Sequence, residues 1–350
     1  MINPFFFQNT LLPRQVQIKL LPFLFLLGTF AFPSEVKAQL SSEVGVSFWT
    51  PSDTLNPKRF WTLAGGGALV YTTASIGLYQ VWYKDYPLGK FRIFDDWGEW
   101  ENMDKWGHFI TAYTESYLAY KGARWTGVDQ KSAVWIGAGV GMLLQGTIEV
   151  MDGFSERWGF SLHDMAFNTG GVVLFTSQEL LWEEQRIWLK VSSTRPRYSL
   201  DPITNPQTGF TASARDAAYD LFGSNFLEAF VKDYNSMTVW ASINPYTFMG
   251  KNRDQSKWPP WLMVSVGIGA DEIFGAYGNV WTRDDGQQLH LRDYTRYQQY
   301  YLSLDIDLTR IKTKSAFLKT VFSAINWIKI PAPTLEYSDR NGFRFHPVYW

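Results

Sequence analysis

Ionisable and amide side chains stand at helical spacing within otherwise apolar stretches between positions 104 and 171. Asp104-Lys105-x-x-His108 continues to Thr111 and Glu115, at i, i+4, i+7 and i+11, which is one stripe of a helix. Gln145, Glu149 and Asp152 make a second stripe, and Asp164, Asn168 and Gly171 a third. One charged side chain at the centre of an apolar bilayer helix costs ~2.5–3.5 kcal/mol on insertion scales. Several such costs accumulate on neighbouring helices only where the groups pair, bind something, or react. The spacing therefore predicts short helices converging on one polar cleft, with Gly171 leaving room for a neighbour.

The residue types in that cleft permit several chemistries. In the simplest, the charges pair and lock the helices. As a binding site, Lys105, Glu115, Glu149, Asp152, Arg157 and Asn168 would hold a lipid or glycan headgroup. As a catalytic site, His108 or His163 would act as base or nucleophile and Asp104 or Asp164 as the orienting acid, with Lys105 or Arg157 clamping a phosphate. Imidazole with carboxylates also suits a divalent ion such as Zn, Mn or Fe, although no compact His-Glu-x-x-His motif occurs. Arg157 and His163 stand at the spacing of the third motif of type-2 phosphatidic acid phosphatases, and Gly107-His108 is similar to part of their second. Phe167 and Glu156 stand where that pattern wants Asp and Ser, and the upstream Lys-x6-Arg-Pro is missing.

Export is written at the start of the chain. Arg14 and Lys19 precede an apolar run over 20–32, and Val36-Lys37-Ala38 supplies a cleavage site, so residues 1–38 read as a signal peptide. Aromatic residues make up 17% of the chain, 17 of them Trp, a type that favours membrane interfaces. A net charge of -1 offers no basic field for nucleic acid. Cysteine is absent, which removes disulfides, thiolate metal sites, cysteine nucleophiles and any lipid-carrying cysteine. These features place the protein in a bacterial cell envelope, at the outer membrane or on the periplasmic face of a membrane, with membrane lipid or envelope glycan as partner.

An α+β fold follows from the periodicities. Residues 60–83 carry no charge and match a spanning or deeply embedded helix, in which Gly65-Gly66-Gly67 would admit a close neighbour. With 110–120, 132–148 and 165–178 they predict a membrane-associated four-helix unit over 60–190, within a domain over 39–190 that opens on one short strand through Val44, Val46 and Phe48. A linker and a helix over 212–234 fill 191–234. Beyond 235 the apolar period becomes 2, predicting an antiparallel sheet of about five or six strands over 235–350. In 300–309, Tyr300, Leu302, Leu304, Ile306 and Leu308 face one way; Tyr301, Ser303, Asp305, Asp307 and Thr309 face the other. The first set is expected to pack on helices or on a bilayer, and Asp305 and Asp307 to be solvated. Six strands are too few for a closed single-chain membrane barrel.

Asp104-Lys105-x-x-His108-Phe109, Glu149-x-x-Asp152-Gly153 and Asp164-x-x-x-Asn168-x-x-Gly171 resemble the signature of the YfiM-like envelope family, domain of unknown function 2279. Their order is similar to that of VanZ-like membrane proteins. Segments 232–235, 303–308 and 328–333 resemble the longer members found in Bacteroidetes-type bacteria. The resemblance implies a predicted periplasmic lipoprotein of no established activity, and the absent cysteine departs from it.

Overall fold

Asn56 opens the first long helix by accepting from the Arg59 amide, with Pro57 pre-set at the first helical position, and α1 runs over Pro57–Leu78. A computed structural model describes residues 47–83, 87–283 and 285–350. The expected signal peptide lies outside the described residues, as do Val44 and Val46; around Phe48 the chain forms turns rather than a strand. Among the described residues, α1 buries none of its side chains, and Gly65, Gly66 and Gly67 meet no close neighbour. It leans on the next helices through Leu63 against Gly122 and a 2.8 Å bond between the Tyr71 hydroxyl and Thr147 Oγ1.

Three helices form the packed unit. β1 (Ile93–Phe94) leads into a left-handed stretch and then α2 (Met103–Trp125). α3 (Gln130–Gly153) is capped by the Asp129 side chain. β2 (Phe160–Ser161) pairs in parallel with β1, and Ser161 then caps α4 (Leu162–Trp182). Glycines set the spacing. A Cβ on Gly141 would strike Ser116 of α2, and one on Gly171 would strike the Phe109 carbonyl, so Gly171 does admit the neighbour expected of it. Gly171→Ala is expected to cost about 1–3 kcal/mol, because rigid backbone rather than a mobile side-chain tip must yield. An unchanged unfolding midpoint in that variant would contradict this packing. Among the described helices, α3 alone is long and apolar enough to cross a membrane by length and composition.

The sheet begins earlier than its expected boundary, since β3 (Ile187–Ser193) spans position 190. β4 (Pro202–Thr204) and β5 (Thr211–Ser213) form a small hairpin. The helix expected over 212–234 is broken into α5 (Ala214–Phe222) and α6 (Phe226–Lys232), because Gly223 sits at φ 83 and Asn225 caps anew. Then come β6 (Met237–Ile243), β7 (Leu262–Asp271), the hairpin of β8 (Val280–Thr282) and β9 (Gln288–His290), and β10 (Tyr297–Ile306). α7 (Ala316–Ile325), β11 (Ala332–Ser338) and β12 (Gly342–Tyr349) complete the chain. The order β12-β11-β10-β7-β6-β3 is an antiparallel meander, so the fold is α+β, with helices on both sides of β3 in sequence.

α2 covers the β3–β6 end of this sheet, where Ile110, Tyr113 and Tyr117 share a core with Leu189, Val191 and Val239. The opposite face holds polar groups, yet it is buried. Lys190 Nζ lies 2.9 Å from Asp305 Oδ2, and Ser242 Oγ donates to the same oxygen at 2.8 Å. Asp307 receives a bond from Asn244, and Lys329 donates to the Leu304 and Ile330 carbonyls. Asp305 and Asp307 are therefore interior groups, not the solvated pair expected. Coiling is the cause: Thr238 of β6 reaches Tyr349 of β12 at 3.1 Å across three intervening strands, so the sheet wraps around its own polar side.

Candidate functional site

The three stripes meet. β1–β2 pairing pins the loop holding Asp95 and Asp96 beside the start of α4, while α2 and α3 bring in the remaining groups. Lys105 is fully buried; its ammonium lies 2.7 Å from Asp96 Oδ2 and 3.0 Å from Asp164 Oδ1. Ser161 ties the caps together: its hydroxyl donates to Asp96 Oδ1 at 2.7 Å, and its amide donates to Glu149 Oε2 at 3.0 Å. Asp104 accepts from the Tyr234 hydroxyl at 2.6 Å.

His108 sits at the centre. Its Nδ1 lies 3.1 Å from Gln145 Oε1 and 3.2 Å from Asn168 Oδ1. Gln145 is turned this way because its Nε2 donates to Glu115 Oε2 at 2.8 Å. Amide oxygens only accept, so Nδ1 carries a hydrogen and Nε2 is left for the carboxylates. Nε2 lies 3.5 Å from Glu149 Oε1 and 4.0 Å from Asp164 Oδ2. A bare lone pair aimed at carboxylates is unfavourable; a proton or a cation must stand between them. Asp104, His108 and Asp164 each offer one ligating atom, and these lie within 4.8 Å of one another. Two buried atoms there lack hydrogen-bond partners, Glu149 Oε1 and Asn168 Nδ2.

The electrostatics point the same way. Asp96, Asp104, Glu115, Glu149, Asp152 and Asp164 outnumber Lys105 and His108. Burial, reinforced by Asp104, pushes the Asp164 carboxyl up to about 8. Burial likewise lifts Glu115 and Asp152 to about 7 and raises Glu149. For His108 burial opposes the charge, but Asp104, Asp164 and Glu149 outweigh it and the imidazole pKa is raised. The Tyr83 hydroxyl donates to Asp152 Oδ1 at 2.7 Å, at the edge of the cluster.

Two sequence candidates stand elsewhere. His163 is 42% exposed and faces Asp95 at 3.2 Å, and Arg157 is exposed with its guanidinium over the Trp158 ring. The two residues that suggested a phosphatase do not join the cluster. Asp96, Ser161, Tyr234 and Tyr83 do join it, although the stripes did not announce them. All four lie outside regular α-helical turns, where no periodicity marks an inward side chain.

The helices that carry the stripes coincide with a known family segment. Residues 93–177 match the DUF2279 family, described as predicted periplasmic lipoprotein. No curated protein and no solved structure matches the chain. The DUF2279 segment runs from β1 into α4, so it contains Asp96 as well as all three stripes. Its description agrees with the export and envelope location expected from the sequence. Tyr83 and Tyr234 fall outside it, one on each side.

Proposed function

We propose that this is an exported cell-envelope protein, at the outer membrane or the periplasmic face of a membrane, whose buried cluster binds a divalent cation. Asp104, His108 and Asp164 are its ligands, with Glu149 at hand, and the ion locks α2, α3 and α4 together. The observation that carries this reading is the orientation of His108: its Nδ1 hydrogen is committed to two amide oxygens, leaving Nε2 among carboxylates. Nitrogen with carboxylate oxygens is a donor set for Zn, Mn or Fe. A phosphorylated lipid or glycan headgroup alone fits poorly, because the excess of carboxylates repels it and His108, at 13% side-chain exposure, offers only a narrow approach. A hydrolase reading loses Arg157 and His163 as phosphate clamp and nucleophile.

The test is a thermal shift on the full chain, stripped with chelator and then titrated with Zn or Mn. An ion at one hundred times its dissociation constant is expected to add about 2.7 kcal/mol. His108→Ala and Asp104→Asn, each still folded, should lose that gain. Equal stabilisation of wild type and both variants, or none in wild type, would refute the assignment.

A further inference from the structure

From the alternation of β7, β10 and β11 we infer that the outward face of the sheet, centred on Val266, Leu302, Leu304 and Leu335 and reaching Phe345, packs against the acyl chains of a lipid bilayer. This rests on the membrane location proposed above and assigns the surface that meets the membrane.

The inference begins with an inversion. In a water-soluble antiparallel sheet the apolar parity faces the core and the polar parity faces solvent. Here Tyr301, Ser303 and Asp305 of β10 are buried, while Tyr300, Leu302 and Leu304, which alternate with them, are exposed, Leu302 by 50%. Register extends the contrast across strands. Leu302 lies opposite Val266 on one side and Leu335 on the other, and Leu335 lies opposite Phe345, which is 67% exposed. Ser303 lies opposite Ser265 and Thr334, all three buried. Ion-paired Lys190 and Asp305 inside, with uncharged apolar groups outside, is the arrangement that hydrocarbon selects.

Two further features favour lipid over a protein partner. No Asp, Glu, Lys or Arg stands on the outward parity of β7, β10 or β11. At the end where β7 starts and β10 finishes, exposed Trp261 directly precedes Leu262, and the exposed lysines Lys257 and Lys312 stand in the segments just before β7 and just after β10. Tryptophan and lysine bordering an apolar band suit a headgroup boundary. The exposed half is also continuous with the half that α2 covers, so the face is core-grade surface that runs out from under the helices.

The cysteine-free chain makes the test direct. Single-cysteine variants of the full chain, Leu302→Cys, Phe345→Cys and, as reference, Gln207→Cys on the β4–β5 turn, are labelled with a polarity-sensitive fluorophore. They are reconstituted with phosphatidylethanolamine–phosphatidylglycerol vesicles carrying doxyl groups on the acyl chains. The expected result is that all three float with vesicles, with labels at 302 and 345 blue-shifted and quenched and the label at 207 unchanged. Leu302→Lys should lower the vesicle-bound fraction about tenfold or more. Failure of the wild-type protein to float would overturn the membrane location itself. Flotation with equal quenching at 207, 302 and 345 would overturn the face alone. Blue shift at 302 and 345 without lipid, accompanied by cross-links between copies, would assign the face to a second copy instead. Either of the two outward-face labels suffices if one variant fails to fold.

Discussion

Replacing Lys105 with methionine is expected to destabilise the protein by about 3–5 kcal/mol, the usual cost of removing one partner from a buried ion pair. Methionine keeps most of the volume of the stem, so packing changes little. What is lost is, among the described residues, the one ammonium that pairs with both Asp96 and Asp164, in a place where its own exposure is nil. Asp96 then keeps the Ser161 hydroxyl but no counter-charge. Adding Asp96→Asn to Lys105→Met should recover part of the loss, because the orphaned charge is removed with its partner. Chemical unfolding of the three proteins measures this. A loss under about 1 kcal/mol, the range of exposed pairs, would mean that water reaches the cluster.

Stability without metal should fall as pH rises between about 4 and 8. Asp152 and Glu115 have folded values of about 7 and Asp164 of about 8, against 3.8, 4.5 and 3.8 in the unfolded chain. A raised carboxyl keeps its proton longer in the folded protein, so its contribution is fully present below pH 4. It is lost as pH climbs through 7 to 8. For Asp152 alone the shift corresponds to about 4 kcal/mol at 1.36 kcal/mol per unit, an upper figure if water enters. The raised imidazole of His108 adds in the same direction. Asp152→Asn should therefore raise the unfolding midpoint at pH 8 and leave it nearly unchanged at pH 4.5, with Tyr83 donating to the amide oxygen. A flat profile in the chelated wild type, or equal destabilisation of the variant at both pH values, would contradict the burial of these carboxyls.

Periodicity made the cluster legible. Asp104 and His108, Gln145 and Glu149, and Asp164 and Asn168 each repeat at helical spacing, so their convergence followed from three inward stripes. Asp96 and Ser161 sit in a loop and a two-residue strand, where the neighbours of a side chain are set by tertiary contacts alone. The sheet was legible in its strands but not in its sidedness. Alternation in 300–306 is equally compatible with either face inward; coiling around Lys190 and Asp305 decided it, and those partners lie over a hundred positions apart in sequence. The first strand escaped because Lys190 in the middle of Ile187–Ser193 reads as a boundary until its buried partner is known. Gly65, Gly66 and Gly67 promised a close helix contact and make none among the described residues, whereas Gly141 and Gly171 make theirs; the run alone does not tell which side a neighbour takes.

X-ray absorption on the zinc-loaded full chain addresses the cluster most directly. The account predicts one ion per chain, with one imidazole nitrogen and carboxylate oxygens in its inner shell, and loss of the nitrogen in His108→Ala. An all-oxygen shell that the variant leaves unchanged, or a chain that retains no ion at all, would contradict it.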